Sequence, residues 1–220
     1  MKLKNALVFG STGLTGSKLI YELLNDDRYE HIRLINRKSI GLKHEKLQET
    51  LLSFEQLEEH KTLFEVDEVF ICLGTTIKKA GSKKQFEYVD FDLPQRIARL
   101  SKESNVDCLL MISSIGASTE TNNFYLKTKG KAEKAVFDLG PKRAFIVRPS
   151  IILGERKEKR TGEMLAKWLM KQFEFLLIGS LRKYRGIYPE ELAKALIFIA
   201  NSRPSKSIIE SEELIAIGRE

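Results

Sequence analysis

The feature that most constrains this chain is the alternation of short apolar runs with helix-like segments over its first 150 residues. The apolar runs are nearly continuous, whereas a strand with one face in water would alternate apolar and polar residues. Continuous apolar strands joined through helices are typical of a parallel sheet covered on both faces. The runs that indicate strands are residues 3–10, 31–37, 67–74, 106–114 and 143–150, and residues 46–53 are ambiguous, with a short strand and a turn favoured.

Helical spacing of apolar residues marks the segments between these strands. Residues 14–24, 83–104 and 121–140 are predicted to be helices. Pro94 is expected to kink or to begin the second helix, and Gly140 is expected to end the third. The alternating order predicts a Rossmann-like doubly wound parallel sheet of the α/β class, with helices on both faces.

The pattern changes from about residue 155, where a basic loop is followed by two helix-like segments, a last strand-like segment and a short helix-like segment. We predict a single domain over residues 1–220, in which residues 155–190 and 203–220 form a small C-terminal cap. The apolar segment 164–178 is expected to be part of the core or a lid over the pocket. A helix that lies on a membrane surface or binds a partner is the alternative, whereas its lysines and glutamate exclude a membrane span.

The charge balance is basic, with 37 Lys and Arg residues against 30 Asp and Glu residues. The basic residues are spread along the chain, and the clusters at 78–84 and 156–160 lack the interleaved aromatic residues of a single-strand-binding groove. Solvated loops are therefore favoured over a nucleic-acid surface. An anionic small ligand would also gain from the excess positive charge.

The two cysteines, Cys72 and Cys108, lie in apolar runs and are expected to be reduced, buried thiols. They have no neighbours spaced to form a metal site, so no metal is expected. The N-terminal stretch is basic but has only a brief apolar part and no small-residue cleavage site. These features predict a cytoplasmic protein without an integral membrane segment.

Three glycines join the first strand to the first helix. Glycine supplies positive φ at little steric cost and lets a pyrophosphate approach backbone N–H groups at the positive end of a helix. This context, a strand before and a helix after the glycines, predicts a dinucleotide site, whereas the Gly-Lys-Ser/Thr ending of a triphosphatase loop is absent. The residues concerned are Gly10, Ser11, Thr12, Gly13, Leu14, Thr15 and Gly16.

The end of the second strand indicates which dinucleotide is bound. NAD enzymes usually place an acidic residue there to bind the ribose hydroxyls. This chain instead has Asn36, Arg37 and Lys38. Two cations would attract a 2′-phosphate, so NADP(H) is predicted, although a pair of surface cations would give the same pattern.

Tyr125 and Lys129 are four residues apart on the third predicted helix and therefore share a face. An ammonium near a phenol favours the phenolate and makes tyrosine a better acid–base group. Ser113 and Ser114 end the preceding strand, at the edge where ligands bind in such folds. A serine hydroxyl there could hydrogen-bond a substrate carbonyl.

These motifs together resemble the short-chain dehydrogenase/reductase superfamily. "GSTGLTG" (10–16) is similar to the glycine motif of its extended and atypical branches, and "SS" followed by "YLKTK" (125–129) resembles the Ser–Tyr–Lys set. "CLGTT" (72–76), "FEYVDFD" (86–92) and "VRPSIILGER" (147–156) resemble the Tat-interacting-protein-like group of atypical members. The resemblance covers nearly the whole chain.

The resemblance implies roles for individual residues. Tyr125 would be the general acid, Lys129 its partner and ribose clamp, and Ser114 the residue that orients the carbonyl, with Ser113 as a close rival. The glycines would cradle the pyrophosphate, and Arg37 and Lys38 would meet the 2′-phosphate. The remaining cofactor contacts would come from Leu73, Gly74, Thr75, Arg148, Pro149, Ser150 and Ile151.

Two departures from the superfamily pattern are present. "CLGTT" replaces the usual Asn-Asn-Ala-Gly, and Asp90 stands where many members have the asparagine of a proton relay. The expected function is reduction of a carbonyl, or oxidation of an alcohol, on a small-molecule substrate with NADP(H). The alternatives are a redox-sensing protein that binds NADPH without turnover, and an epimerase or dehydratase that holds its cofactor tightly. A homodimer is a further expectation left open.

Overall fold

The computed structural model describes residues 2–154, 185–202 and 204–219. Within these ranges seven parallel strands form one sheet in the order β3-β2-β1-β4-β5-β6-β7. The strands are β1 (Lys4–Phe9), β2 (Tyr29–Asn36), β3 (Leu47–Leu51), β4 (Glu68–Ile71), β5 (Cys108–Ile112), β6 (Arg143–Arg148) and β7 (Ile208–Glu210). This order, which changes direction beside β1, is that of a Rossmann-like sheet, and the predicted fold class is confirmed.

Helices cover both faces of the sheet, which explains why its strands are apolar throughout. In β1, Val8 packs into a core with α1 and α6, while Leu7 and Phe9 pack into a second core with α4 and α5. The helices are α1 (Leu14–Leu24), α2 (Ile77–Ala80), α3 (Lys83–Glu87), α4 (Leu93–Glu103), α5 (Phe124–Leu139), α6 (Pro189–Asn201) and α7 (Ser211–Arg219), together with a 3-10 helix at Phe54–Phe64. The 3-10 helix was not expected from the sequence.

The segment predicted as one helix at 83–104 is interrupted by a π-helical segment, Tyr88–Asp92, between α3 and α4. The Leu93 N–H donates to the Tyr88 carbonyl five residues earlier. Pro94 lies in the first turn of α4, where its missing N–H costs little. The wider turn places Asp90 in the protein interior, with 1% of its surface exposed.

The C-terminal residues differ from the prediction of a cap. Residues 208–210 form β7 and pair in parallel with β6, so they extend the main sheet. The following helix α7 packs on α6. Ile209 packs into the first core and Ile208 packs against the second, so β7 has an apolar side chain on each face of the sheet.

Residues 155–184 of the predicted cap, including the apolar segment 164–178, lie outside the described residues, whereas residues 185–190 are described and lead into α6. The assignment of residues 155–184 to a cap remains a prediction. Among the helices of the described ranges, none combines the length and the apolar character needed to cross a membrane.

Candidate active site at the carboxyl edge of the sheet

The carboxyl ends of parallel strands meet at one edge of the sheet, and the change of strand direction beside β1 opens a crevice there. Apart from Tyr125 and Lys129 on α5, the predicted site residues lie in segments at strand ends along this edge. They are residues 10–16 after β1, 36–38 at the end of β2, 73–75 after β4, 113–114 after β5 and 148–151 at the end of β6. The fold therefore brings together segments that are far apart in the sequence.

The glycine turn is closely packed. Gly10 has φ +83°, and a Cβ built on it would lie 2.5 Å from the Cys72 carbonyl oxygen. A Cβ on Gly16 would overlap the Gly10 carbonyl oxygen, and the Gly13 N–H donates to that same oxygen at 3.0 Å. Side chains are thus excluded where the turn meets β4 and where α1 leaves it.

The N-terminus of α1 fits an anionic group. Gly13 is its N-cap and supplies no side-chain hydrogen bond, so the N–H groups of the first turn remain for a ligand. Thr12 and Gly13 are exposed, whereas Thr15 is buried with a hydroxyl that has no protein partner within the described ranges. The Leu14 side chain lies close to Gly154, since a Cβ built on Gly154 would be 3.2 Å from it. The turn therefore fits the pyrophosphate of a dinucleotide.

The end of β2 presents the two predicted cations. Arg37 and Lys38 are both exposed. The guanidinium carbon of Arg37 lies 5.9 Å from the ring centroid of Phe54, which begins the 3-10 helix. This cation–π contact holds one of the two cations beside the strand end.

A carboxylate that the sequence did not reveal lies at the same place. Glu49 of β3 accepts hydrogen bonds from Asn36 Nδ2 at 2.6 Å, the Ile40 N–H at 3.0 Å and the Ser39 hydroxyl at 2.5 Å. Partial burial by itself would raise the pKa of Glu49, but these bonds hold it below its usual range. Asn36 Oδ1 in turn accepts a hydrogen bond from the Ser11 hydroxyl at 2.5 Å, so this hydroxyl is already bonded within the protein.

Asp90 connects the loop after β4 with α5. One of its carboxylate oxygens lies 2.7 Å from Lys129 Nζ, and the other accepts the Thr75 N–H at 2.9 Å. A Cβ on Gly74 would lie 3.6 Å from the Asp90 carboxylate and 3.7 Å from Lys129 Nζ. The loop that is expected to follow the cofactor therefore runs directly over the predicted catalytic lysine, while the half-buried Leu73 packs against the second core.

Lys129 is almost fully buried, with 6% of its surface exposed. Burial by itself would lower its pKa, but the charges of Asp90, Tyr125 and Glu133 raise it above the ordinary value. Lys129 is therefore a fixed ammonium group. Glu133 continues the i, i+4 series begun by Tyr125 and Lys129, so the spacing could have revealed it.

Tyr125 is half-buried near the start of α5, where Asn123 caps the helix by accepting the Leu126 N–H at 3.1 Å. The Tyr125 ring lies 5.6 Å from the Phe86 ring. Phe86 is fully buried and anchors this side of the phenol. Tyr125 and Lys129 both lie on α5, four residues apart, so they share a helix face as predicted.

The two serines after β5 have different surroundings. The Ser113 hydroxyl is buried and donates to Glu133 Oε1 at 2.5 Å. The Ser114 hydroxyl is half-buried, and its hydrogen bond in the described structure is a long one, 3.4 Å, to the adjacent Ile115 carbonyl. Ser114 is thus the serine with a hydroxyl available to a ligand.

Arg148 belongs to the same buried network as Ser113. Its guanidinium binds Glu133 with two bonds of 3.0 and 2.5 Å, Glu210 of β7 at 3.1 Å and the Ala117 carbonyl at 3.1 Å. The side chain is occupied by protein groups, in contrast to its predicted part in cofactor binding. It ties β6 and β7 to α5 and to the loop after β5.

The segment after β6 is held by its backbone. The Pro149 carbonyl accepts the Ile115 N–H at 3.1 Å, and Ser150 bonds Ser211 through its N–H and the Arg185 carbonyl through its hydroxyl. Ile151 is 42% exposed. Of this segment, Ile151 therefore offers an apolar side chain to a ligand, while the Ser150 hydroxyl is already bonded.

Comparison with known proteins shows which family this chain matches. The NAD dependent epimerase/dehydratase family matches residues 6–210. The chain is 28% identical to Protein HTATIP2 of Rattus norvegicus, over 100% of this chain and 91% of the relative. The predicted resemblance to the Tat-interacting-protein-like group is confirmed.

A second relative corrects the predicted location. The chain is 32% identical to "Protein FMP52, mitochondrial" of Meyerozyma guilliermondii, over 98% of this chain and 92% of the relative. Relatives of the same name from Debaryomyces hansenii and Eremothecium gossypii also match. The prediction of a cytoplasmic protein is therefore wrong, because an N-terminus without a secretory pattern does not distinguish between intracellular compartments.

Among solved structures, the chain is similar to MoeE5 in complex with UDP-glucose and NAD. The TM-score is 0.70 with 16% sequence identity, covering 97% of this chain and 80% of that one. At this identity the likeness concerns the fold, which in MoeE5 holds NAD.

Proposed function

Because the chain belongs to the NAD dependent epimerase/dehydratase family, we propose that it is an NADP(H)-dependent oxidoreductase that acts on a carbonyl or alcohol of a small molecule. The observation that carries this proposal is the placement of Lys129. Its ammonium lies close to Gly74 of the loop after β4, and Tyr125 lies one turn earlier on the same face of α5. A fixed cation between a dinucleotide loop and a phenol suits proton transfer to a carbonyl beside the nicotinamide.

Each site residue has a task in carbonyl reduction. Ser114 donates a hydrogen bond to the carbonyl oxygen, and Tyr125 donates its proton to that oxygen. NADPH, when bound, supplies the hydride to the carbonyl carbon. Lys129 holds the nicotinamide ribose, and its positive charge stabilises the phenolate that remains until Tyr125 regains a proton from solvent. Ser113 and Arg148 support the strand ends through Glu133.

The preference for NADP(H) over NAD(H) rests on Arg37 and Lys38. Both are exposed at the end of β2, and Arg37 is oriented by Phe54. The nearby Glu49 carboxylate is already satisfied by three donors. It is therefore less available to ribose hydroxyls than a free acid would be.

The test is the oxidation of NADPH, followed by absorbance, with a panel of aldehydes, ketones and quinones. Tyr125→Phe should lower kcat by about 100-fold or more, the usual contribution of a general acid, with an unchanged NADPH Kd in calorimetry. Tyr21→Phe is the matched control, because Tyr21 is 66% exposed on α1. Turnover of Tyr125→Phe equal to that of the control would refute the proposed mechanism.

The family description favours a second candidate, an epimerase or dehydratase that retains its cofactor. Such an enzyme would convert a substrate without a net change in NADPH absorbance, so analysis of products by mass spectrometry or NMR distinguishes it from a reductase. Tight NADPH binding with neither consumption nor product would instead favour a redox-sensing binder.

A further inference from the structure

The buried carboxylate of Asp90 is not used by the chemistry described above. It is 1% exposed, in the π-helical segment Tyr88–Asp92, and faces Lys129, which is 6% exposed. Its two oxygens bind two different elements, Lys129 Nζ on α5 at 2.7 Å and the Thr75 N–H of the loop after β4 at 2.9 Å. Asp90 thus joins the expected cofactor loop to the catalytic helix.

The groups around Lys129 show that Asp90 is its main counter-charge. Tyr125 and Glu133 face it from its own helix. Glu133, however, is shared with Ser113 and forms a two-bond ion pair with Arg148 of β6. The loop residues 73–75 contribute a backbone N–H and no titratable side chain.

We propose that Asp90 is a positioning residue that keeps Lys129 charged and fixed against the cofactor loop, so that the lysine can hold the ribose up to alkaline pH. This inference rests on the proposed function. Asp90 is a carboxylate where many members have a neutral amide. Its negative charge offsets the effect of burial on the Lys129 pKa, because an opposite charge within hydrogen-bond distance favours the ammonium form.

The predicted consequence concerns pH. In Asp90→Asn the amide oxygen can still accept the Thr75 N–H, so the loop contact is retained while the charge is lost. Burial then dominates and lowers the pKa of Lys129 from its raised value. The lysine should lose its proton, and with it the ribose contact, at a lower pH than in the unaltered protein.

The experiment measures the Kd for NADPH by calorimetry from pH 6.5 to pH 10.5 in three forms of the full chain: unaltered, Asp90→Asn and Asp92→Asn. Asp92→Asn is the matched control, because Asp92 lies on the same segment but lines a shallow surface cavity with Arg96 and Leu139. Near pH 6.5 all three should bind alike. Towards pH 10.5 the affinity of Asp90→Asn should fall at least about threefold more than that of the control.

The outcomes separate the two proposals. A Kd for Asp90→Asn that follows the control at every pH overturns the role of Asp90 and leaves the proposed function intact. An Asp90→Asn protein that binds weakly at every pH, with circular dichroism of the folded chain, indicates a purely structural role and also overturns it. Failure of the unaltered protein to bind NADPH overturns the proposed function, and the role of Asp90 with it.

Discussion

Replacing Gly10 by alanine tests the turn on which the proposed cofactor site depends. Two costs are expected. The first is backbone strain, because φ is +83°, and a side chain at positive φ costs about 1–2 kcal/mol. The second is steric, because the new Cβ would lie 2.5 Å from the Cys72 carbonyl oxygen, a distance that real Cβ atoms essentially never show.

Gly41 allows the two costs to be separated. It has φ +69°, but a Cβ on it would have nothing within 4 Å. Gly41→Ala should therefore show the strain alone, a loss of about 1 kcal/mol in the free energy of unfolding. Gly10→Ala should lose about 2–4 kcal/mol, because overpacking against backbone typically adds 1–3 kcal/mol.

The same displacement should weaken cofactor binding. The turn and β4 must move apart, and this changes the positions of the N–H groups at the start of α1. Losing one charge-assisted hydrogen bond to a phosphate costs about 1.5–3 kcal/mol, which is a factor of about 10 or more in Kd. Gly41→Ala should leave the NADPH Kd unchanged.

The assays are urea unfolding followed by circular dichroism, and NADPH titration by calorimetry, on both variants. The reasoning is refuted if Gly10→Ala is no less stable than Gly41→Ala. It is also refuted if Gly10→Ala binds NADPH as tightly as the unaltered protein, because the turn would then not be the phosphate site.

Three further predictions concern other parts of the molecule. Arg37→Glu should raise the Kd for NADPH by about tenfold or more and leave that for NADH nearly unchanged; equal losses for both coenzymes would show that Arg37 does not recognise the 2′-phosphate. Ser114→Ala should lower kcat with little effect on the midpoint of urea unfolding, whereas Ser113→Ala should mainly destabilise the fold by leaving the Glu133 network short of one donor; the reverse pattern would exchange their roles. The Arg96 guanidinium lowers the pKa of Glu58 from 4.5 to about 2. The stability that this ion pair contributes is therefore present above pH 4.5 and lost as the pH falls towards 2. Glu58→Gln should make the free energy of urea unfolding depend less on pH in that window, and an unchanged pH dependence would contradict the assignment.

Local patterns in the sequence were sufficient for the first part of the fold. Continuous apolar runs correctly indicated β1, β4, β5 and β6, and the helical spacing from Leu14 to Leu24 gave α1 with the bounds observed. These features depend on residues within a few positions of one another. The glycine spacing likewise placed the turn, because its φ requirement is local.

Contacts between distant segments could not be obtained in this way. Glu49 lies beside Asn36 because β3 pairs with β2, and the register of that pairing is not written in either strand alone. The choice between Ser113 and Ser114 likewise depends on which hydroxyl meets Glu133, on a helix about 20 residues later.

The sequence by itself determined the succession of β1, β2, β4, β5 and β6, the glycine turn and the placement of Tyr125 and Lys129 on one helix face, because each follows from short-range periodicity and backbone sterics. Only the tertiary structure decided that β7 joins the sheet and that Asp90 reaches Lys129. Both depend on how elements that are distant in the sequence pack together, which short-range patterns do not specify.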